Sequence, residues 1–399
     1  MAALADAALL RTADARGGAA RPTAEPRFRY RLAPAAWSES AWRRECTLHQ
    51  LSPFIGKMKS SVARALVSGH SGAGETIYDP FSGSGTVALE GWIAGRKIVA
   101  NDLSPYAQVL TRAKLRPPQT LEEALSELHR ASRQAGDLAR SVDLRRVSPT
   151  VRPFFHPRTL REIVAWVSVL RANRQWFLLA CLLGILHHQR PGFLSFPCSH
   201  MVPYLRSRQL PRESYPALYE YRQVEGRLRA KVERAFRRVP NLDRAVPRRC
   251  YAADAAAFVP KTHVDAIITS PPYMRQLDYG RDNRLRLWFL GCRDTRNLDM
   301  AVSPREGPFL ALMERCFRNW RPLLAPKGHC VLVVGQECSR SSRTDLPSEI
   351  ARIATRNGAF RLVSEQREPA PIERRRRPEL GGSRAEAILV LQSTRAATF

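Results

Sequence analysis

From Thr76 to Asp102 the hydrophobic pattern changes from the alternation of a strand to the repeat of a helix and back again. A chain written this way folds into parallel strands joined by helices. Thr76-Ile77-Tyr78-Asp79 reads as a short strand, Thr86 to Ile93 as a helix entered through glycines, Gly95 as its stop, and Lys97 to Asp102 as the next strand. Upstream, Ser60 to Val67 reads as a helix presented by the turn Ser52 to Lys57. Downstream, Val264 to Thr269 and His329 to Val334 are nearly continuous in hydrophobicity, as parallel strands covered on both faces are. Asn283 to Leu290 and Pro308 to Leu324 are helical in period. Pro347 to Asn357 forms a helix closed by Gly358, and Phe360 to Ser364 with Ala387 to Leu391 forms a hairpin. The result is an α/β chain with a mostly parallel sheet.

Between Arg116 and Arg249 the alternation stops, and the sequence turns mostly helical. We therefore divide the chain into a disordered basic tail (1–35), a first half (36–115), an inserted helical lobe (116–249) and a second half (250–399). The longest apolar run, Trp176 to Leu186, is too short for a membrane span, which needs roughly 20 residues, and reads as a buried helix. The tail lacks the apolar core of a secretory signal. The eight cysteines show no C-x-x-C spacing and read as reduced thiols in a cytoplasmic protein.

The formal net charge is +28, from 64 basic and 36 acidic residues. Such an excess attracts a polyanion, because basic side chains displace the counterions condensed on a phosphate backbone. Nucleic acid is the expected partner.

The segment Asp79-Pro80-Phe81-Ser82-Gly83-Ser84-Gly85-Thr86 follows a strand and opens a helix. Glycines there let backbone amides approach a ligand, and the helix offers its positive end. Asp102, at the end of the next strand, stands at the separation from which an acid holds ribose hydroxyls. Position 88 is Ala where a dinucleotide fingerprint needs its third glycine, so hydride chemistry is disfavoured. No Gly-Lys-Ser/Thr follows either, and Asp79 would repel a phosphate while stabilising an amino group. The loop suits a nucleoside that carries positive charge.

Far downstream, Thr269-Ser270-Pro271-Pro272-Tyr273 ends a buried strand, where open α/β sheets place their ligands. A base's exocyclic amine is a poor nucleophile because its lone pair is delocalised into the ring. The Ser270 hydroxyl and the Pro271 carbonyl can accept hydrogen bonds from such an amine. Two prolines stiffen the turn, and Tyr273 offers a plate for stacking worth about 1–3 kcal/mol.

On these two segments the chain resembles the amino-group DNA methyltransferases, nearest the N4-cytosine branch. That resemblance implies a seven-stranded, Rossmann-like class I methyltransferase fold with S-adenosyl-L-methionine as cofactor. It implies that the loop from Asp79 through Phe81, Gly83, Gly85 and Thr86 holds the cofactor, that Asp102 binds its ribose and Asp254 its adenine edge. Phe54 to Val67, with Lys57, is similar to the family's motif at the methionine end. Ser270, Pro271, Pro272 and Tyr273 match the catalytic motif, with Asp278-Tyr279 and Arg284 to Gly291 as its tail. The implied partner is double-stranded DNA, with a restriction endonuclease as companion and no membrane. An N6-adenine enzyme, an RNA guanine-amine enzyme and a protein-amide methyltransferase share the architecture, and a non-catalytic DNA-binding module could also keep the fold.

DNA contacts are expected from Arg222, Arg229 and Arg234 on the lobe's last helix, and from Arg275 and Arg281 beside the catalytic turn. His187, His188, Cys198 and His200 lie close in sequence but match no zinc spacing, so no metal is expected. Pro197-Cys198 lacks the setting of a covalent C5-cytosine nucleophile.

Overall fold

A computed structural model of the chain describes residues 31–33, 36–37, 44–54, 56–188, 192–197, 211–272, 279–293, 306–336, 345–369 and 385–394. Tyr273, Arg275, Asp278, Cys198, His200, the Arg374–Pro378 run and nearly all of the basic tail lie outside these residues.

Seven strands form one sheet in the order β3-β2-β1-β4-β5-β7-β6. They are β1 (Thr76–Asp79), β2 (Lys97–Asn101), β3 (Arg248–Tyr251), β4 (Val264–Thr269), β5 (Leu324–Gln336), β6 (Phe360–Pro369) and β7 (Ala385–Ser393). The first five are parallel, and β7 runs antiparallel to both β5 and β6. This is the Rossmann-like class I methyltransferase fold. The chain lays strands outward from β1 to β3, then returns to the centre at β4. Strand order therefore reverses between β1 and β4, and a crevice opens at their carboxyl ends.

Helices cover both faces, which explains why the central strands could be written as unbroken apolar runs. On one side, a core built on Ile77, Ile98 and Ala266 packs against α1 (Ser60–His70), α2 (Thr86–Ile93) and α3 (Pro105–Leu115). On the other, Tyr78, Val99 and Ile267 meet α9 (Glu306–Trp320) and α10 (Leu346–Thr355). The bounds expected for β1, α2 and β4 are those observed, whereas β5, β6 and β7 extend beyond their most apolar cores.

The lobe enters between β2 and β3 as α4 (Leu121–Ser141), α5 (Pro157–Ala172), α6 (Trp176–Leu186) and α7 (Val224–Ala235). Its apolar residues join the same core as α1 to α3, so it is continuous with the sheet domain. Helix α6 is the keystone. Every residue from Phe177 to Leu186 is buried. The helix lies so close to the segment before α1 that a Cβ added at Gly184 would stand 2.0 Å from the Leu51 carbonyl oxygen. From α8 (Tyr279–Phe289), the buried Arg286 donates to the carbonyls of Leu183 and His187, both at 3.1 Å, satisfying acceptors that the end of α6 leaves open. Gly184→Ala must displace backbone, and a loss of about 1–3 kcal/mol or more is expected in urea unfolding. Unchanged stability would show that α6 and the Leu51 segment can separate freely.

Strand β3 lies in a stretch expected to hold no convincing strand series. It pairs with β2 in register Ile98↔Arg248 through Asn101↔Tyr251 and forms the sheet's edge. Two arginines in four residues hide it. Arg248 nonetheless lies over the Trp92 ring at 4.0 Å and donates from Nε to the Leu115 carbonyl at 2.6 Å, so the strand's charge is absorbed by tertiary contacts.

Candidate active site

The two segments singled out in the sequence end adjacent strands. Ile77 and Tyr78 of β1 pair with Ala266 and Ile267 of β4, which brings Asp79 beside Thr269. The Thr269 hydroxyl donates to Asp79 Oδ1 at 2.7 Å and accepts the Phe81 amide at 3.2 Å. One threonine thus ties the glycine loop to the proline turn. Asp79 is only 2% exposed. Burial raises its carboxyl to about 7, and the neighbouring Asp102 charge pushes the same way against the hydrogen bonds from Thr269 and Phe81.

Gly83 takes φ 51°, in the left-handed region that favours glycine, and turns its amide onto Asp102 Oδ2 at 2.7 Å. Ser104 donates its amide to the other oxygen at 2.9 Å. Asp102 is raised to about 6 by burial, with these backbone bonds opposing. A Cβ at position 83 would press within 3.3 Å of the Phe54 ring, so glycine also keeps the cradle open.

Together these elements enclose a cleft with about 1040 Å³ of open space including its mouth. On the cofactor side its wall includes Lys57, Asp79, Phe81, Gly83, Thr86, Asp102 and Asp254, so the segment around Asp254 does reach the loop after β1. Lys57 donates from Nζ to the His49 carbonyl at 2.8 Å, which holds its ammonium against the backbone. Asp254 accepts the Ala256 amide on Oδ1 at 2.9 Å. Gly85 is absent from the wall. Its φ of 73° starts α2, and a Cβ there would stand 2.9 Å from Thr111 Cα and Oγ1, so this glycine serves the close packing of α2 on α3.

On the acceptor side, Ser270 and Pro272 line the same cleft. The Ser270 hydroxyl donates to the Val333 carbonyl at 3.0 Å. With its proton directed into the sheet, its oxygen is left to accept. Pro271 is buried behind the wall. Asn283 and Leu312, to which the sequence alone assigned no role, also line the cleft. Asn283 is a polar residue in a helix next to the catalytic motif, and that was its available signal.

The arginines divide. Arg222 was expected on DNA, but it is 7% exposed and donates to the carbonyls of Ser195 and Leu218, both at 2.8 Å. It clamps the chain inside the lobe, because a buried guanidinium needs such acceptors. Arg229 and Arg234 are exposed on α7. Arg281 falls within α8, with its side chain outside the described residues. His187 pairs through Nδ1 with the Ser195 hydroxyl at 2.8 Å. No helix among the described residues is long and apolar enough to cross a membrane.

Residues 51–140 match the family described as UPF0020, RMKL-like, methyltransferase domain. A stretch of 60 residues is 38% identical to the Type II methyltransferase M.MvaI of Kocuria varians, covering 14% of this chain and 13% of that protein. Among solved structures, TrmN from Thermus thermophilus is similar at 13% identity and TM-score 0.33, over 85% of this chain and 50% of that one. The rRNA methyltransferase aviRa from Streptomyces viridochromogenes is similar at 12% identity and TM-score 0.34, over 90% of this chain and 94% of that one. The chain thus spans half the length of the first structure and a small part of the curated relative.

The cleft itself tests the cofactor. Three carboxylates, Asp79, Asp102 and Asp254, stand in it against one ammonium, Lys57, which is held on the His49 carbonyl, so it suits a nucleoside bearing an ammonium and repels one bearing phosphates. The methyltransferase domain matched over residues 51–140 carries most of this wall, and the cofactor that fits it is S-adenosyl-L-methionine.

Proposed function

We propose that the protein methylates the exocyclic amine of a base flipped out of double-stranded DNA, with cytosine N4 as the acceptor. The observation that carries this reading is Ser270, whose hydroxyl proton is taken by Val333 while its oxygen lines the cleft that holds Asp79 and Asp102. When bound, S-adenosyl-L-methionine supplies a methyl group already activated on a sulfonium, so the protein's task is placement. Asp79 offers its carboxylate to the methionine ammonium, Asp102 to the ribose hydroxyls and Asp254 to the adenine edge. Ser270 accepts an amine hydrogen of the base and aims its lone pair, while the buried Pro271 stiffens the turn behind it. Tyr273 stacks on the base and offsets part of the few kcal/mol that flipping costs.

The net charge of +28 and the exposed Arg229 and Arg234 support a phosphate backbone as the larger ligand. Serine at 270 favours cytosine N4 over adenine N6. Single-molecule sequencing of DNA from a methylation-free host expressing the protein is expected to show N4-methylcytosine at one short motif. N6-methyladenine would move the acceptor to adenine. Unmodified DNA alongside methylated RNA would reject the DNA reading.

A further inference from the structure

A second concavity, of about 910 Å³ counted out to solvent, opens where the last turn of α3, the α5–α6 turn and the start of β3 meet. Its wall holds Arg112, Arg116, Arg174, Trp176 and Arg248, and no carboxylate. Arg248 is committed to structure, donating to the carbonyls of Leu115, Arg244 and Val246. Burial, and after it the neighbouring Arg244 and Arg116 charges, weaken its hold on its proton, with the Asp243 charge opposing. The Arg112 guanidinium carbon lies over the Trp176 ring, 5.4 Å from its centroid. Among the described residues, the guanidinium groups of Arg112, Arg116 and Arg174 have neither a hydrogen bond nor an ion pair.

Arg174 adds an independent sign. It follows Asn173, the C-cap of α5, with φ 54°, the position at which helices usually place glycine. A long cation occupies a strained turn where a smaller residue would sit more easily, and it lines the charged pocket.

We propose that this pocket grips a backbone phosphate of the nucleic acid, away from the reacting base. Planar guanidinium forks match phosphate oxygens, and one already rests over a tryptophan ring. Helix α3 connects the two sites: Ser104 at its start lines the reacting cleft, and Arg112 and Arg116 lie about 12–18 Å further along at the helical rise. That is about four to five base steps of one strand. The proposal takes its partner from the nucleic-acid reading above but needs none of its chemistry.

The test is anisotropy of a fluorescein-labelled DNA duplex with the full-length protein, titrated with salt in the absence of cofactor. Arg174→Gly is expected to raise the thermal midpoint, because glycine relieves the turn, while weakening the duplex several-fold at low salt. In Arg116→Gln/Arg174→Gly the slope of log K against log salt is expected to fall by about 1, the share of the one phosphate that the pocket holds. An unchanged slope overturns the pocket, whatever the thermal midpoint does. Adenosine monophosphate is the second probe. If it binds the wild type, is lost in the double variant and leaves the duplex slope intact, the pocket serves free phosphate esters and the proposal fails. Methylation of DNA with an unchanged slope removes the pocket alone, and a lowered slope without methylation removes only the reaction.

Discussion

Asp79→Asn is expected to make the cofactor-free protein more stable at about pH 8 and to cost it most of its affinity for S-adenosyl-L-methionine. Burial raises this carboxyl from 3.8 to about 7, so the folded state holds the proton more tightly than the unfolded chain does. Its stabilising contribution is full below about pH 4, declines as pH rises and is gone above about 7. At about pH 8 the charged carboxylate therefore leaves a deficit of a few kcal/mol, roughly 2–4 at 1.36 per pH unit. Asparagine removes the charge and can still accept the Thr269 hydroxyl on Oδ1. Urea unfolding across this pH range should show the variant ahead at high pH and level with wild type near pH 4.

Calorimetry supplies the other half. Wild-type affinity for the cofactor should fall up to about tenfold per pH unit as Asp79 takes up its proton below about 7. The variant should bind about 10- to 100-fold more weakly at high pH, the range for a lost charged hydrogen bond. It should keep only the shallower dependence that Asp102, raised to about 6, contributes. A variant that is less stable at high pH, or that binds as wild type does, removes Asp79 from the methionine end.

Ser270→Ala is expected to lower single-turnover methyl transfer by about 10²–10³, the range seen when one placed hydrogen-bond partner is removed from a reacting centre. Cofactor affinity should stay within about a factor of two, because Ser270 stands on the acceptor side of the cleft. Ser270→Asn restores an acceptor and should recover part of the rate. Equal loss in both variants would mean that the residue serves the turn through its Val333 bond. A full rate in the alanine variant would remove the serine from the reaction.

Elements that lie wholly within one apolar run were legible residue by residue. β1, α2 and β4 carry their own period, and the polar residues buried in them, such as Asp79, Glu90 and Thr269, are few and hydrogen-bonded. The terminal hairpin was legible in kind and short in length, because its outer residues, such as Arg361 and Glu368, are polar on an edge strand. β3 was invisible, since Arg248 rests on Trp92 and the Leu115 carbonyl, partners remote in the chain, as well as on the nearby carbonyls of Arg244 and Val246. The cleft shows the same division. Gly83 and Gly85 look equivalent in the sequence, yet one opens onto the cofactor wall and the other lies against Thr111. Arg222 and Arg229 share a basic segment, yet one is spent on internal carbonyls while the other faces solvent.

What the sequence determined by itself was local: the alternation of strand and helix, the glycine turn after β1, the double-proline turn after β4 and the net charge of +28. Tertiary structure alone decided that these two turns share one cleft. Strand order reverses between β1 and β4, and the hydroxyl of Thr269, 190 positions along the chain from Asp79, bonds both that carboxylate and the Phe81 amide. It also decided that α6 belongs to the core, through a glycine close enough to touch the Leu51 backbone. Period and propensity act over a few residues, whereas packing and pairing depend on which distant surfaces the folded chain presses together.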